Sequence, residues 1–207
     1  MDRVTYQEIL KDLEEIAQWL CGVTHRQFDR IRVHQRNVAA LAQATNEGTL
    51  DQFIAGLGAD KRREVMCSLT ESMEFVDSIK ALRRQDCRIP VPVLEAALDG
   101  PADLHVEDEN SNRGRNTMFE IAIAGRVARA GFTPELGGEP DVRFDLEGRQ
   151  ILIECKRVFS EKGIARCLAV AGRQLKRDLA RSCDPRDCGI IAVSISRVFI
   201  LCVLDAL

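Results

Sequence analysis

An acid and a base, Glu154 and Lys156, close the short apolar run Ile151-Leu152-Ile153 in "GRQILIECKR". A strand that only filled a core would need neither. Period-two alternation puts Leu152, Glu154 and Lys156 on one face and Ile151, Ile153 and Cys155 on the other, so the acid and the base point the same way. Asp141, thirteen residues before Glu154, opens the alternating stretch "EPDVRF", with Val142 and Phe144 on one face and Asp141 and Arg143 on the other. Between the two stretches, "DLEG" reads as a hairpin turn. In a hairpin the start of one strand lies beside the end of its partner, which brings Asp141 toward Glu154. Two neighbouring carboxylates repel unless a cation sits between them. Their hard oxygens suit Mg²⁺, which keeps several waters and is held by one or two carboxylates plus a substrate phosphate. A lysine beside them can orient a metal-bound water or offset charge on a phosphate oxygen.

A third acid, Glu120, interrupts "MFEIAIAG", on a helix expected to be buried nearly all round. An ionised carboxylate there is costly unless it is paired or coordinates a metal. Glu120 is therefore a candidate outer ligand, or a base acting through water.

The elements that must position these residues follow a change of texture in the chain. Residues 1–100 read as helices. "TYQEILKDLEEIAQWL" carries an apolar stripe of Ile9, Leu13, Ile16 and Leu20 behind Thr5 as N-cap. "HRQFDRIRVHQRNVAALAQA" and "KRREVMCSLTESMEFVDSIKALRRQ" behave alike, and "RIPVPVLEAALDGP" is a short proline-bounded helix. Residues 101–115 are polar, acidic and aperiodic, and read as a linker. From 116 the order is a helix capped by Asn116 and stopped at Gly131, a weak strand in "GFTPEL", the two strands above, a long helix over "EKGIARCLAVAGRQLKRDLARS", and a buried strand in "GIIAVSIS". That order predicts α/β layer packing.

The succession Glu120, Pro140-Asp141 and Glu154-Cys155-Lys156 resembles the PD-(D/E)xK nuclease superfamily, the restriction-endonuclease-like fold. The αβββαβ order over roughly residues 116–196 resembles its core, here preceded by an all-helical N-terminal region. The resemblance implies a mixed sheet flanked by helices and a Mg²⁺-dependent endonuclease, with Mn²⁺ as a substitute metal and DNA rather than RNA as the substrate. It implies a metal site of Asp141, Glu154, the backbone carbonyl of Cys155 and Glu120, with Lys156 beside it, and Gln174 facing the site from the long helix. Some branches follow that glutamine four residues later with tyrosine; this chain has Asp178.

Charge is compatible with such a substrate only locally. The whole chain carries −3, residues 1–110 hold 13 basic and 20 acidic side chains, and residues 111–207 hold 16 and 12. Arg173, Lys176, Arg177 and Arg181 on the long helix are candidate phosphate contacts. Against this, such residues most often make an ordinary solvated helix face, and the same reading is favoured over a grip on substrate backbone for Arg26, Arg30, Arg32 and Arg36 with His25 and His34. One tyrosine and one tryptophan argue against single-strand recognition by stacking.

Quieter readings exist for the site as well. Asp141 can be a turn acid, Glu154 and Lys156 a solvated ion pair worth about 0–1 kcal/mol, and Glu120 a partner of Arg126 or Arg129. The alternative function is a nuclease-fold module that does not cut and binds nucleic acid or a partner protein.

Eight cysteines occur without a CxxC pair and with only three histidines, so neither a disulfide framework nor a zinc site is expected. No apolar run reaches the roughly 18–20 residues that span a bilayer, and "MDRVTYQEIL" is no export signal. The expectation is a cytoplasmic protein without a membrane partner. The apolar ending "SRVFILCVLDAL" is expected to be buried in the fold or against a second subunit of a homo-oligomer.

Overall fold

The computed structural model describes residues 4–102, 107, 112–158, 160–182 and 184–196. Among them the chain is mixed α/β, with seven α-helices and one four-stranded mixed sheet. It divides into two compact units, Met1–Asp77 with Leu94–Gly114, and Ser78–Val93 with Arg115–Leu207.

The first unit is helical. Helix α1 (Tyr6–Thr24) starts at Thr5, whose hydroxyl accepts the Glu8 N–H while the Glu8 carboxylate accepts the Thr5 N–H at 2.7 Å. This reciprocal cap satisfies two donors that a helix start otherwise leaves bare. The predicted stripe of Ile9, Leu13, Ile16 and Leu20 is buried throughout. Helix α2 (Asp29–Asn46) is followed by α3 (Leu50–Gly56) and α4 (Ala59–Arg84). Ile9, Val38, Leu41, Val65 and Leu69 form one core cluster.

Here α2 departs from the expected basic face. Arg26, Arg32 and Arg36 are exposed, but Arg30 and His34 are buried. Arg30 donates to the Ala97 carbonyl at 3.0 Å and to Glu71 at 2.8 Å, and His34 Nδ1 lies 3.1 Å from the Ser68 hydroxyl. The reason is registry: positions 30, 34 and 37 lie on the inward stripe of α2, so these polar groups find partners inside the bundle.

The second unit carries the sheet. Helix α5 (Val91–Leu98) has its first three residues in this unit and the rest in the first; α6 is Arg113–Arg129, and the strands are β1 (Glu135–Leu136), β2 (Val142–Leu146), β3 (Arg149–Arg157) and β4 (Cys188–Ser194). A 3₁₀ turn at Glu161–Gly163 leads into α7 (Ile164–Arg181). Strand order is β1-β2-β3-β4, antiparallel except for the parallel β3–β4 pair. The β2–β3 turn is where "DLEG" predicts it. Glu147 and Gly148 both have positive φ, 54° and 75°, the geometry whose twist matches the flanking strands. Asp145 Oδ1 accepts the Gly148 N–H at 3.0 Å.

Two expectations need correction. Helix α6 begins at Arg113, not behind Asn116, because its first turn, Arg113–Asn116, has no apolar residue to announce it. Strand β4 is not buried: Cys188, Gly189 and Ile190 are exposed and the next four residues are half-buried. An apolar run reads the same on a central strand and on an edge, and among the described residues β4 ends the strand order with β3 on one side only.

Of the polar linker expected over 101–115, residues 101, 102, 107 and 112–115 are among those described, and 113–115 belong to α6 rather than to a linker. Most of the apolar ending lies outside the described residues. The six described cysteines, 21, 67, 87, 155, 167 and 188, are all free. No helix among the described residues is long and apolar enough to cross a membrane.

Candidate active site

The β2–β3 register decides where the acids fall. Val142 pairs with Ile153, and one further step sets Asp141 opposite Glu154. Cross-strand partners share a face, so both carboxylates rise from the side of the sheet that carries Leu152 and Lys156. The Lys156 ammonium donates to Glu154 Oε1 at 2.5 Å and stands 3.9 Å from Asp141 Oδ2. Asp141 Oδ2 also accepts the backbone N–H of Cys155 at 2.7 Å. Three side chains from two strands therefore meet at one point, where β2 begins and β3 nears its end.

Helix α7 covers this face. A Cβ on Gly189 of β4 would come within 3.4 Å of the Leu175 and Leu179 side chains, so the helix lies tight against the sheet there. Its buried stripe runs Ala171, Leu175, Asp178. An acid thus occupies a core position, and with Pro140, Leu152 and Glu139 it lines a cavity of about 240 Å³.

Electrostatics follow from that cover. Glu154 is 2% exposed and Asp141 is half-buried. Burial is the largest influence on each carboxyl and raises both above their ordinary values. The Cys155 N–H and then Lys156 act against it at Asp141, and the Lys156 hydrogen bond acts against it at Glu154. The charge of Asp178 raises both, and Asp141 raises Glu154 further. Lys156 is the ammonium beside Asp141 and Glu154, and Asp178, met at 3.4 and 3.5 Å by Arg177 and Arg181, adds a third negative charge nearby. Crowded carboxylates in a poorly solvated place are an arrangement a cation relieves.

The donor set fits a hard divalent ion. The hydrogen bonds use Asp141 Oδ2 and Glu154 Oε1, leaving Asp141 Oδ1 and Glu154 Oε2 unengaged among the described residues. The Cys155 carbonyl is a third oxygen. It points to the same side as its N–H, toward β2. Among the described residues no three His, Cys, Asp or Glu side chains are grouped to hold one ion. Two carboxylates, one carbonyl and retained water is the coordination these residues can give, a pattern Mg²⁺ accepts.

The remaining candidates stand on α6 and α7. Glu120 is half-buried on α6, and its charge helps to raise the Cys155 thiol. That thiol is itself buried, and burial more than any neighbour holds it far above the usual thiol range. It is packing and not a nucleophile. Gln174 sits one turn before Asp178 on α7, with its side-chain oxygen buried and without a hydrogen-bond partner. Arg173, Lys176, Arg177 and Arg181 are exposed. Arg177 and Arg181 reach Glu139 at 3.1 and 3.4 Å, beside Pro140 and Asp141.

Asp178 is the residue that sequence reasoning passed over, reading it only as a missing tyrosine. The available signal was its place on the stripe of Ala171 and Leu175, where an apolar residue is expected.

Comparison with known proteins adds no relative: no family model, no curated protein and no solved structure matches this chain.

Proposed function

We propose that the second unit is a metal-dependent endonuclease built on the restriction-endonuclease-like plan, hydrolysing nucleic-acid phosphodiester bonds with DNA as its substrate. The observation that carries this reading is the meeting of Asp141, Glu154 and Lys156, with the lysine nitrogen 2.5 Å from one carboxylate and 3.9 Å from the other.

Asp141, Glu154 and the Cys155 carbonyl are the groups that would hold Mg²⁺ or Mn²⁺. When bound, such an ion supplies a Lewis acid that lowers the pKa of water and offsets charge on the phosphate. Lys156, half-buried on the same face, orients the attacking water and counters charge growing on a phosphate oxygen. Glu120 serves as outer acid and Gln174 faces the site from α7. Arg173, Lys176, Arg177 and Arg181 are placed on the exposed side of α7 to neutralise substrate phosphates.

The test is cleavage of plasmid and linear DNA with Mg²⁺, beside an EDTA control and a Lys156→Ala variant. Cutting that needs both the metal and Lys156 supports the reading. Absence of cutting by folded protein, also on single strands, RNA and with Mn²⁺, overturns it. One observation favours a module that binds without cutting: the short Lys156–Glu154 ion pair, which ties up Glu154 Oε1. Binding of DNA with no cleavage in the same assay would support that second reading.

A further inference from the structure

Asp178 is 8% exposed, yet its Oδ2 has no hydrogen-bond partner. Its other oxygen, Oδ1, is reached only at 3.4 Å by Arg177 and 3.5 Å by Arg181, both with largely exposed side chains. One turn earlier on the same helix, Gln174 Oε1 is likewise buried and lacks a donor. A buried acceptor without a donor forfeits its solvation for nothing in return. Two of them, a turn apart, point to a ligand made of donors.

The sheet beneath supplies the rest. Asp178 lines the cavity of about 240 Å³ with Glu139, Pro140 and Leu152. The cavity adjoins the two carboxylates rather than containing them, Pro140 preceding Asp141 in the chain and Leu152 standing two residues before Glu154 on the same face. That volume is room for several waters at roughly 30 Å³ each. The side chains of Asp141, Glu154 and Asp178 are not grouped to hold one ion directly. The waters of a hydrated divalent ion turn their O–H groups outward, and an acceptor one water away receives one of them.

We propose that Asp178 is a third carboxylate of this site, a positioning residue that accepts through Oδ2 a hydrogen bond from a water of the divalent ion held by Asp141 and Glu154. Gln174 Oε1 accepts from a second such water. The inference rests on the metal-site reading above and extends it to residues on α7. It explains why an acid stands on a stripe otherwise made of Ala171 and Leu175.

The experiment uses the full chain and Mn²⁺ alone as probe. Mn²⁺ affinity is measured by electron paramagnetic resonance for wild type, Asp178→Asn, Asp178→Leu and Asp141→Asn, with metal-free thermal unfolding recorded for each. Asp141→Asn is expected to lose the site. Asp178→Asn is expected to weaken Mn²⁺ by about tenfold or more, the usual effect of removing a group that holds an outer partner. Asp178→Leu is expected to weaken it further while raising the metal-free melting temperature, because leucine completes the apolar stripe. Wild-type affinity in both Asp178 variants, with Asp141→Asn inactive in binding, overturns the inference alone. Unchanged affinity in Asp141→Asn overturns the metal site itself. If both Asp178 variants melt lower or fail to fold, Asp178 is a structural anchor for Arg177 and Arg181, and the proposal falls.

Discussion

Asp141 reaches across the hairpin and accepts the main-chain N–H of Cys155 through Oδ2 at 2.7 Å. The bond ties one carboxylate oxygen to the β3 main chain while leaving the other free to act. Two substitutions at this position should therefore separate structure from chemistry. Asp141→Asn keeps an acceptor for Cys155 and is expected to fold with near wild-type stability while losing cleavage. Asp141→Ala leaves that N–H unpaired and is expected to lose about 1–3 kcal/mol. Urea unfolding of the two variants, beside plasmid cleavage, checks both halves.

Lys156 is expected to matter far more to rate than to folding. It is half-buried, and its loss leaves Glu154 with the full penalty of burial. Lys156→Ala should reduce cleavage by about 10²–10³-fold, the scale of one preorganised electrostatic partner, with circular dichroism unchanged. A variant that cuts as fast as wild type would remove Lys156 from the mechanism.

Burial raises the carboxyls of both Asp141 and Glu154 above their ordinary values of 3.8 and 4.5. A folded chain that holds these protons more tightly than the unfolded chain gains stability from them at low pH. The contribution is complete below the ordinary values and disappears as pH rises through the raised ones. Glu154→Gln cannot ionise, so in EDTA its melting temperature should exceed that of wild type by a margin that widens with pH across this window. Mg²⁺ should then stabilise wild type and not the variant, by binding the folded state alone. A margin that shrinks as pH rises contradicts the burial argument.

Removing Glu71 tests the first unit's polar interior. Its carboxylate lies 2.8 Å from Arg30, whose side chain is 2% exposed. Glu71→Ala leaves that guanidinium buried without its carboxylate and is expected to destabilise by about 3–5 kcal/mol. Exchanging the exposed Arg32 for alanine should change stability by under about 0.5 kcal/mol. Denaturant midpoints of the two variants make the comparison.

Gly125 on α6 and Gly22 on α1 should respond oppositely to alanine. A Cβ at Gly125 would stand 2.6 Å from the Ser78 Cα, a backbone atom that has to move, whereas a Cβ at Gly22 meets nothing within 4 Å. Gly125→Ala is expected to destabilise by about 1–3 kcal/mol and Gly22→Ala to stabilise by about 0.5–1 kcal/mol. Thermal unfolding reads both signs directly.

Local rules make part of this protein legible in its sequence. The Thr5 cap, the α1 stripe, the "DLEG" turn and the alternation that pairs Glu154 with Lys156 depend on neighbours within a few residues, and chain geometry alone settles them. The approach of Asp141 to Glu154 was also within reach, because a short hairpin leaves its register little freedom. Tertiary structure decided the rest. Whether "GIIAVSIS" is central or at an edge depends on which strands surround it, and an apolar run carries no record of that. Arg30 and His34 read as surface cations because their partners, Ser68 and Glu71, lie more than thirty residues away on another helix. Asp178 was hidden for the same reason. Its meaning comes from what α7 covers, two carboxylates on strands distant in sequence, and only packing brings those charges together.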